Sequence, residues 1–301
     1  MPFRKISQMP NVLIVGATGK QGSGVVEGLQ GKTGFNVFGT TRTIPNERLS
    51  KKGVTPVAFK YGDAASIETA LKTSNAELVF FVTLVAKKAT EIAHGKLIVD
   101  ACKKAGVKFV VFSSVGDADS CPENVEHFKS KLEIEKYLKS SGLAHGILRP
   151  VAFYENFDDA ATWNPLKKGV VKSLWSVDTK VKLVSCVDIG KAGAVMLQSP
   201  EEWNGKTIDC AACNLNGHEI AASLTEASGV QCKYAMAMPR CIMACLMPDL
   251  NHMVSFFEDG GYSASIDDFK KLVPEALTLQ QWFAAKGQWA NGEKFAGKKA
   301  A

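Results

Sequence analysis

The chain has 301 residues, of which 46% are hydrophobic and 22% are charged. These fractions are typical of a soluble globular protein and exclude a disordered or fibrous chain. The formal net charge is +6, and the basic stretch at 294–299 is interpreted as a solvated end. No basic stripe is interleaved with aromatic residues, so we do not expect a nucleic-acid binder.

The sequence contains neither an N-terminal apolar signal nor an apolar run long enough to cross a bilayer. We therefore expect a cytoplasmic protein with no membrane partner, and access to the nucleus stays open. Among the eight cysteines, Cys210 and Cys213 are close in sequence but have no histidine partners at zinc-ligand spacing. The sequence thus predicts thiols in a reducing compartment and no metal site.

The first predicted elements are an apolar strand at 12–15, a glycine-rich turn and a helix that ends at Leu29. Gly16 would make the tight turn, Gly19 would let a pyrophosphate approach the backbone, and Gly22 would let the helix pack on the strand. Amides at the helix start, helped by the helix dipole, would bind the phosphates. An incidental glycine-rich turn is the alternative. The turn's candidate cofactor-binding residues are Gly16, Thr18, Gly19, Lys20, Gln21 and Gly22.

Strand-like and helix-like segments alternate from this point to about residue 150. The alternation predicts an α/β fold, a Rossmann-type doubly wound parallel sheet with right-handed crossovers. Ligands of such sheets bind at the carboxyl ends of the strands. The predicted strands are 12–15, 36–40, 55–59, 78–82, 109–113 and 144–148, and the predicted helices are 22–29, 65–72, 89–105 and 125–140.

An arginine, rather than an acidic residue, follows the second predicted strand. NAD sites usually place a carboxylate here for the ribose hydroxyls, whereas this chain has Thr41 and Arg42. A guanidinium can pair with a 2′-phosphate through two parallel hydrogen bonds. Arg42 therefore favours NADP(H) over NAD as the cofactor, and a surface arginine in a loop is the alternative.

Polar residues also follow the next three strands. Asp63 would accept a hydrogen bond from the adenine amino group, or would cap the following helix, or both. Thr83 would border the ribose and the second phosphate. Ser113 and Ser114 would run beneath the nicotinamide end of the cofactor.

The helix after the fifth strand lacks the Tyr-x-x-x-Lys pair that short-chain dehydrogenases commonly use. Tyr137 is followed four residues later by Ser141. His127 and Lys131 are four residues apart and would share one helix face. Lys131 is the candidate contact to the nicotinamide ribose, and His127 is the candidate proton donor. These two residues are the candidate catalytic residues. The alternatives are a solvated charged face and a structural histidine.

The regular alternation of strand-like and helix-like segments does not continue beyond residue 150. We expect a cofactor-binding domain at 1–150 and a smaller α+β lobe at 151–301, with chain crossings between them. The Met- and Cys-rich stretch 238–248 is interpreted as core filling beneath a helix, with a flexible substrate pocket or partner groove as the alternative. Thr278 and Gln281 form a capping-box pattern at the start of a last helix.

These motifs together resemble the NmrA-like group of atypical short-chain dehydrogenase/reductases, closest to its NADP-sensing redox sensors. The resemblance implies an NADP-binding Rossmann domain and a smaller C-terminal lobe that closes over the nicotinamide. It also implies that Phe153 and Asn156 line the cofactor pocket. The matching segments are 16–22 (GATGKQG), 41–42 (TR), 62–63 (GD), 127–131 (HFKSK), 148–157 (LRPVAFYENF) and 276–282 (ALTLQQW).

The resemblance leaves two functions open. One is a regulatory NADP(H) sensor that passes the cofactor's redox state to a protein partner. The other is an NADPH-dependent oxidoreductase that reduces a small quinone or aromatic substrate. Hydride transfer needs only the cofactor and a correctly placed acceptor, so the missing tyrosine does not exclude catalysis. The resemblance favours the sensor, because the nearest match lies with the sensor proteins, and a homodimer is left open.

Overall fold

The computed structural model describes residues 6–31, 34–157 and 169–285. These residues divide into two compact units. The first contains 6–31, 34–119, 126–149 and 187–208, and the second contains 120–125, 150–157, 169–186 and 209–285. The chain therefore returns to the first unit at Val187. The basic stretch at 294–299 and part of the predicted second domain lie outside the described residues.

A seven-stranded parallel sheet is the centre of the first unit, and it confirms the predicted fold class. The strand order is β10-β6-β5-β4-β1-β2-β3, numbered along the chain. The chain reverses its direction of winding between β1 and β4, which is where sheets of this kind bind ligands. The strands are β1 (Asn11–Ile14), β2 (Asn36–Thr41), β3 (Thr55–Ala58), β4 (Leu78–Val82), β5 (Phe109–Ser113), β6 (His145–Pro150) and β10 (Thr207–Cys210).

Helices flank this sheet, so its central strands are apolar and buried. The rings of Phe81 and Phe112 stack within the core with centroids 4.6 Å apart. Within the described ranges, no helix has the length and hydropathy needed to cross a bilayer. The helices are α1 (Lys20–Leu29), α2 (Glu47–Ser50), α3 (Ala64–Ser74), α4 (Lys88–Ala105), α5 (Glu126–Ser140), α6 (Cys186–Gln198) and α7 (Pro200–Trp203).

Helix α6 packs in backbone contact with α1. A Cβ atom added to Gly190 would lie 2.0 Å from the carbonyl carbon of Gly24, and one added to Gly28 would lie 2.9 Å from the Cβ of Ala194. Real side chains do not approach this closely, so the crossing requires glycine at these positions. This contact explains why residues 187–208 belong to the first unit.

The second unit is built from short strands and helices, as expected for an α+β lobe. Its sheets have the orders β11-β9-β7 and β12-β8. The predicted capping box is confirmed, because the Thr278 amide donates to Gln281 Oε1 at 2.9 Å and the Gln281 amide donates to Thr278 Oγ1 at 3.2 Å. The elements are β7 (Ala152–Phe153), a 3₁₀ turn (Tyr154–Asn156), β8 (Val170–Ser173), β9 (Val181–Val184), β11 (Cys213–Leu215), α8 (Gly217–Ser228), β12 (Lys233–Met236), α9 (Arg240–Leu246), α10 (Pro248–Glu258), α11 (Ile266–Leu272) and α12 (Leu279–Ala285).

The prediction that 238–248 fills a core is wrong. Helix α9 buries Met243, but Ile242 is 45% exposed and Leu246 is 72% exposed. Arg240, at the start of α9, donates to Ser255 Oγ of α10 at 2.8 Å. A helix of seven residues buries only a narrow stripe. The composition of this stretch did not reveal which of its apolar residues would face outward.

Candidate functional site

The turn after β1 adopts the backbone conformation that the glycine pattern predicts. Gly16 has φ +80°, a left-handed conformation that favours glycine. Its amide donates to Thr40 Oγ1 of β2 at 2.9 Å. A Cβ atom on Gly22 would lie 2.1 Å from the carbonyl oxygen of Gly16. Helix α1 therefore begins in contact with the turn, which is the packing role predicted for Gly22.

The start of α1 is open to an anionic ligand. Its N-cap residue is Gly19, which offers no side-chain acceptor, and its first turn contains no acidic residue. Thr18, Gly19 and Lys20 are exposed. The first amides of a helix have no partners within the helix, and its dipole favours a negative charge at this end. The residues present therefore fit a diphosphate.

Arg42 is exposed immediately after β2. The preceding Thr41 is buried, and its hydroxyl accepts a hydrogen bond from Asn46 Nδ2 at 2.9 Å. The ends of β1 and β2 lie at the same edge of the sheet because the two strands are parallel neighbours. Arg42 thus lies at the same edge as the glycine turn. Its pairing with a 2′-phosphate stays a prediction.

Asp63 caps helix α3. Its carboxylate accepts from the amide of Ser66 at 3.0 Å, which confirms the capping interpretation. Its predicted contact with adenine stays a prediction. The neighbouring Tyr61 was missed by sequence reasoning. It donates to the carbonyl oxygen of Val82 at 2.9 Å, and burial raises the pKa of its hydroxyl.

A buried carboxylate holds Lys131 beside the end of β4. Glu91 on α4 is completely buried, and Lys131 on α5 donates to it. Lys131 Nζ also donates to Thr83 Oγ1 at 2.6 Å. The same hydroxyl donates to Glu91 Oε1 at 2.6 Å, and Ser130 Oγ donates to Glu91 Oε2 at 2.6 Å. The structure therefore brings the predicted residues Thr83 and Lys131 together through an acid that was not predicted.

The surroundings of Lys131 have opposing effects on its charge. Burial lowers the pKa of Lys131, and the Glu91 carboxylate partly opposes this by favouring the ammonium form. The Lys131 side chain is 12% exposed. Glu91 thus supplies the negative charge that keeps a poorly solvated amine oriented.

The sequence contains a signal that could have identified Glu91. Buried positions on α4 include Glu91, Gly95, Ile98 and Cys102, with spacings of four, three and four. This spacing is that of a buried helical stripe. An acidic residue in phase with an apolar stripe needs a buried partner. Ser130 carries no comparable signal.

Two serines lie at the end of β5. Ser113 Oγ donates to Gln21 Oε1, which joins the strand to α1. Ser114 donates its amide to the carbonyl oxygen of Leu148 at 2.8 Å. Within the described part of the chain, the buried Ser114 Oγ has no hydrogen-bond partner. An unsatisfied buried polar group costs about 1–3 kcal/mol, so this hydroxyl suits a polar group of a ligand.

The other predicted site residues have more varied surroundings. His127 is half-buried on α5, with its ring edge-on to Phe128 at a centroid distance of 4.8 Å. Phe153 is half-buried and Asn156 is exposed, and both belong to the second unit. The catalytic role of His127 and the cofactor contacts of Phe153 and Asn156 stay predictions.

A second buried ion pair joins α5 to β6. Glu135 is completely buried and accepts from Arg149 Nε at 3.0 Å and from Nη2 at 2.8 Å. Arg149 Nη1 also donates to Asp119 at 3.1 Å. This bidentate geometry fixes the end of β6 next to α5.

Comparison with known proteins identifies the family. The family model described as "NmrA-like family" matches residues 8–283. The chain belongs to the NmrA-like family. This confirms the resemblance drawn from the sequence motifs.

Similar proteins within and around this family include enzymes and a regulator. Quinone oxidoreductase 2 of Escherichia coli (strain K12) is 30% identical over 231 residues, which cover 74% of this chain and 76% of that protein. The solved E. coli NADPH-dependent quinone oxidoreductase complexed with NADPH is 26% identical, with a TM-score of 0.71 over 89% of this chain and 97% of its own. NmrA, a negative transcriptional regulator solved in complex with NAD, has a TM-score of 0.76 at 18% identity, covering 96% of this chain and 99% of its own. The last similarity concerns the fold alone.

Proposed function

We propose that this NmrA-like protein is an NADPH-dependent reductase of small quinone-like or aromatic acceptors. The observation that carries the proposal is the fixed position of Lys131, held by Glu91 and Thr83 at the carboxyl edge of the sheet. A group in this position would orient the nicotinamide ribose and so favour hydride transfer to a bound acceptor. The E. coli quinone oxidoreductase, at 30% identity, supports a reductase more strongly than the 18% identity to NmrA supports a regulator.

The choice of NADPH as the cofactor rests on the residues that follow β1 and β2. The open start of α1 would bind the diphosphate, with the amides of Lys20 and Gln21 as donors. Arg42 would pair with the 2′-phosphate of NADPH, which NADH lacks. The structure of the E. coli quinone oxidoreductase with NADPH supports this choice. We place the activity in the cytoplasm.

When bound, NADPH supplies the hydride. Lys131 would donate a hydrogen bond to a ribose hydroxyl, and Ser114 would pair with a polar group near the nicotinamide. The chain has no tyrosine at the usual acid position, so the reduced acceptor would take its proton from His127 or from water. Quinone-like acceptors suit this arrangement, because their reduced oxygens are readily protonated in water.

Steady-state turnover tests the proposal. Purified protein mixed with NADPH and a panel of quinones and aromatic aldehydes should consume NADPH. Lys131→Met should lower kcat/KM by about 10²-fold, the scale of a misplaced reactant. Lys136→Met is the matched control, because Lys136 is an exposed lysine on the same helix, and it should retain activity. Saturable NADPH binding without turnover of any acceptor would contradict the reductase function.

A regulatory NADP(H) sensor is the second candidate. The observation that favours it is the absence of the Tyr-x-x-x-Lys pair from the sequence. A sensor would bind both redox forms without turnover, and binding would alter its oligomeric state or its sensitivity to protease. Protease digestion of the apo and NADP⁺-bound protein, combined with the turnover assay, separates the two functions.

A further inference from the structure

Helix α9 carries two exposed thiols. Cys241 and Cys245 are both exposed and are four residues apart in Arg240–Leu246. Residues at this spacing share a helix face, with Cβ atoms about 5–6 Å apart. The two sulfur atoms can therefore reach the same small molecule.

The other six cysteines are shielded. Cys213 is half-buried, and burial raises its pKa to about 11. Burial raises the pKa of Cys102 to about 12. Because the thiolate is the reacting form, these groups are poor nucleophiles at neutral pH. The remaining buried thiols are Cys121, Cys186, Cys210 and Cys232.

Exposed aliphatic side chains adjoin the pair. Ile242 and Leu246 follow Cys241 and Cys245 in sequence, and they are 45% and 72% exposed. At about 100° per residue, these four positions cover one continuous arc of α9, and the buried Met243 lies outside this arc, next to Leu246. An apolar surface beside two thiols favours a flat aromatic electrophile over a small polar one.

We propose that Cys241 and Cys245 form a covalent modification site for quinones, in which one quinone ring bridges the two sulfur atoms. The thiolate of one cysteine adds to a ring carbon, and the displaced C=C electron pair moves to a carbonyl oxygen. Loss of the ring proton and protonation of both oxygens give a hydroquinone thioether. The addition therefore needs no external oxidant. It involves no dinucleotide and does not rest on the reductase function.

The bridge forms in a second step. A second quinone molecule oxidises the hydroquinone thioether to a quinone thioether and is itself reduced to hydroquinone. The other cysteine then adds to a further ring carbon in the same way. Each protein molecule thus consumes two quinone molecules. One becomes the ring that bridges the two cysteines, and the other is released as hydroquinone.

Peptide mass spectrometry of the full-length protein tests this site. The protein is incubated with 1,4-benzoquinone without nicotinamide cofactor, digested and mapped. Adducts should appear first on the peptide that contains Cys241 and Cys245, and they should mature into a single ring bonded to both. Cys241→Ser should still be labelled at Cys245 but should form no bridge. The double variant C241S/C245S should be labelled at least about tenfold more slowly, because only shielded thiols remain.

A matched variant and an unfolded sample complete the experiment. Cys213→Ser removes a shielded thiol and should leave the rate and the bridge unchanged. In denaturant all cysteines should react, which shows that the fold confers the selectivity. Labelling spread evenly over the folded protein would overturn the site, as would an unchanged rate in C241S/C245S. Separate adducts on the two cysteines without a bridging ring would overturn the bridge.

Discussion

Replacing Glu91 with glutamine should destabilise the first unit by removing the charge that holds Lys131. Glu91→Gln keeps the shape of the side chain but leaves the ammonium without a counter-charge, where the Lys131 side chain is only 12% exposed. Removing one partner of a buried ion pair costs about 3–5 kcal/mol. The hydroxyls of Thr83 and Ser130 can still bond to the amide. We therefore expect Glu91→Gln to lower the free energy of unfolding by about 3 kcal/mol, near the lower end of this range.

The destabilisation should depend on pH. Burial lowers the pKa of Lys131, so the folded protein releases this proton at a lower pH than the unfolded chain does. Between the two pKa values the unfolded state binds more protons, and stability therefore rises with pH. Without Glu91, the pKa of Lys131 in the folded state falls further. The loss of stability caused by Glu91→Gln should thus be largest below the pKa that Lys131 has in the folded variant. It should shrink as the pH rises to the pKa of Lys131 in the folded wild type, which itself lies below the ordinary lysine value of about 10.4.

Urea unfolding followed by tryptophan fluorescence measures this effect. The free energies of unfolding of wild type and Glu91→Gln are compared at about pH 6 and about pH 9, which lie below the ordinary lysine pKa. Glu135→Gln is the matched control, because Glu135 is equally buried but pairs with Arg149 and with the exposed Lys139. A guanidinium keeps its proton over this range, so the loss of stability in Glu135→Gln should change less with pH than the loss in Glu91→Gln.

Two results would refute the role assigned to Glu91. One is a decrease in the free energy of unfolding of Glu91→Gln that is equal at both pH values. The other is a loss that persists undiminished when Lys131→Met is already present. In that background no ammonium needs a counter-charge, so the coupling between the two substitutions should be about 0.5–3 kcal/mol.

The Cβ atom introduced by Gly22→Ala would lie 2.1 Å from the Gly16 carbonyl oxygen. We expect the resulting shift of the turn to abolish dinucleotide binding and to lower the free energy of unfolding by about 1–3 kcal/mol. Gly193→Ala, whose nearest neighbours are 3.4 Å away, should be tolerated; equal behaviour of the two variants in thermal melts and cofactor titrations would argue against the close packing. Thr278→Ala should cost about 1 kcal/mol by removing the hydrogen bond to the Gln281 amide, measured as a lower urea midpoint. An unchanged midpoint would show that the cap is not stabilising.

The strongest sequence predictions concern buried parallel strands. The predicted strands 78–82 and 109–113 match β4 and β5 to the residue, because each is built on a continuous apolar run. Strand β8 was not predicted, and neither were β7 and β11, which have only two and three residues. Segments this short do not establish a period of their own.

Tertiary packing explains what the sequence did not reveal about the site. Thr83 and Lys131 are 48 residues apart in the chain, and their contact depends on how α5 packs beside β4. Glu91 is in phase with the buried stripe of α4, but its partner Lys131 lies on α5, and the sequence does not show that α5 covers it. The orientation of α9 is likewise decided by its neighbour α10.

A fluorescence titration of the purified protein with NADPH and with NADH tests the central claim most directly. Saturable binding of NADPH, tighter than that of NADH, is the expected result. Arg42→Asp should weaken NADPH binding by at least about tenfold, because hydrogen bonds between charged groups contribute about 1.5–3 kcal/mol, and it should favour NADH. Lys51→Asp makes the same change of charge on the exposed α2–β3 segment and should leave the preference intact. Failure of both dinucleotides to bind saturably, or an unchanged preference in Arg42→Asp, would contradict the claim.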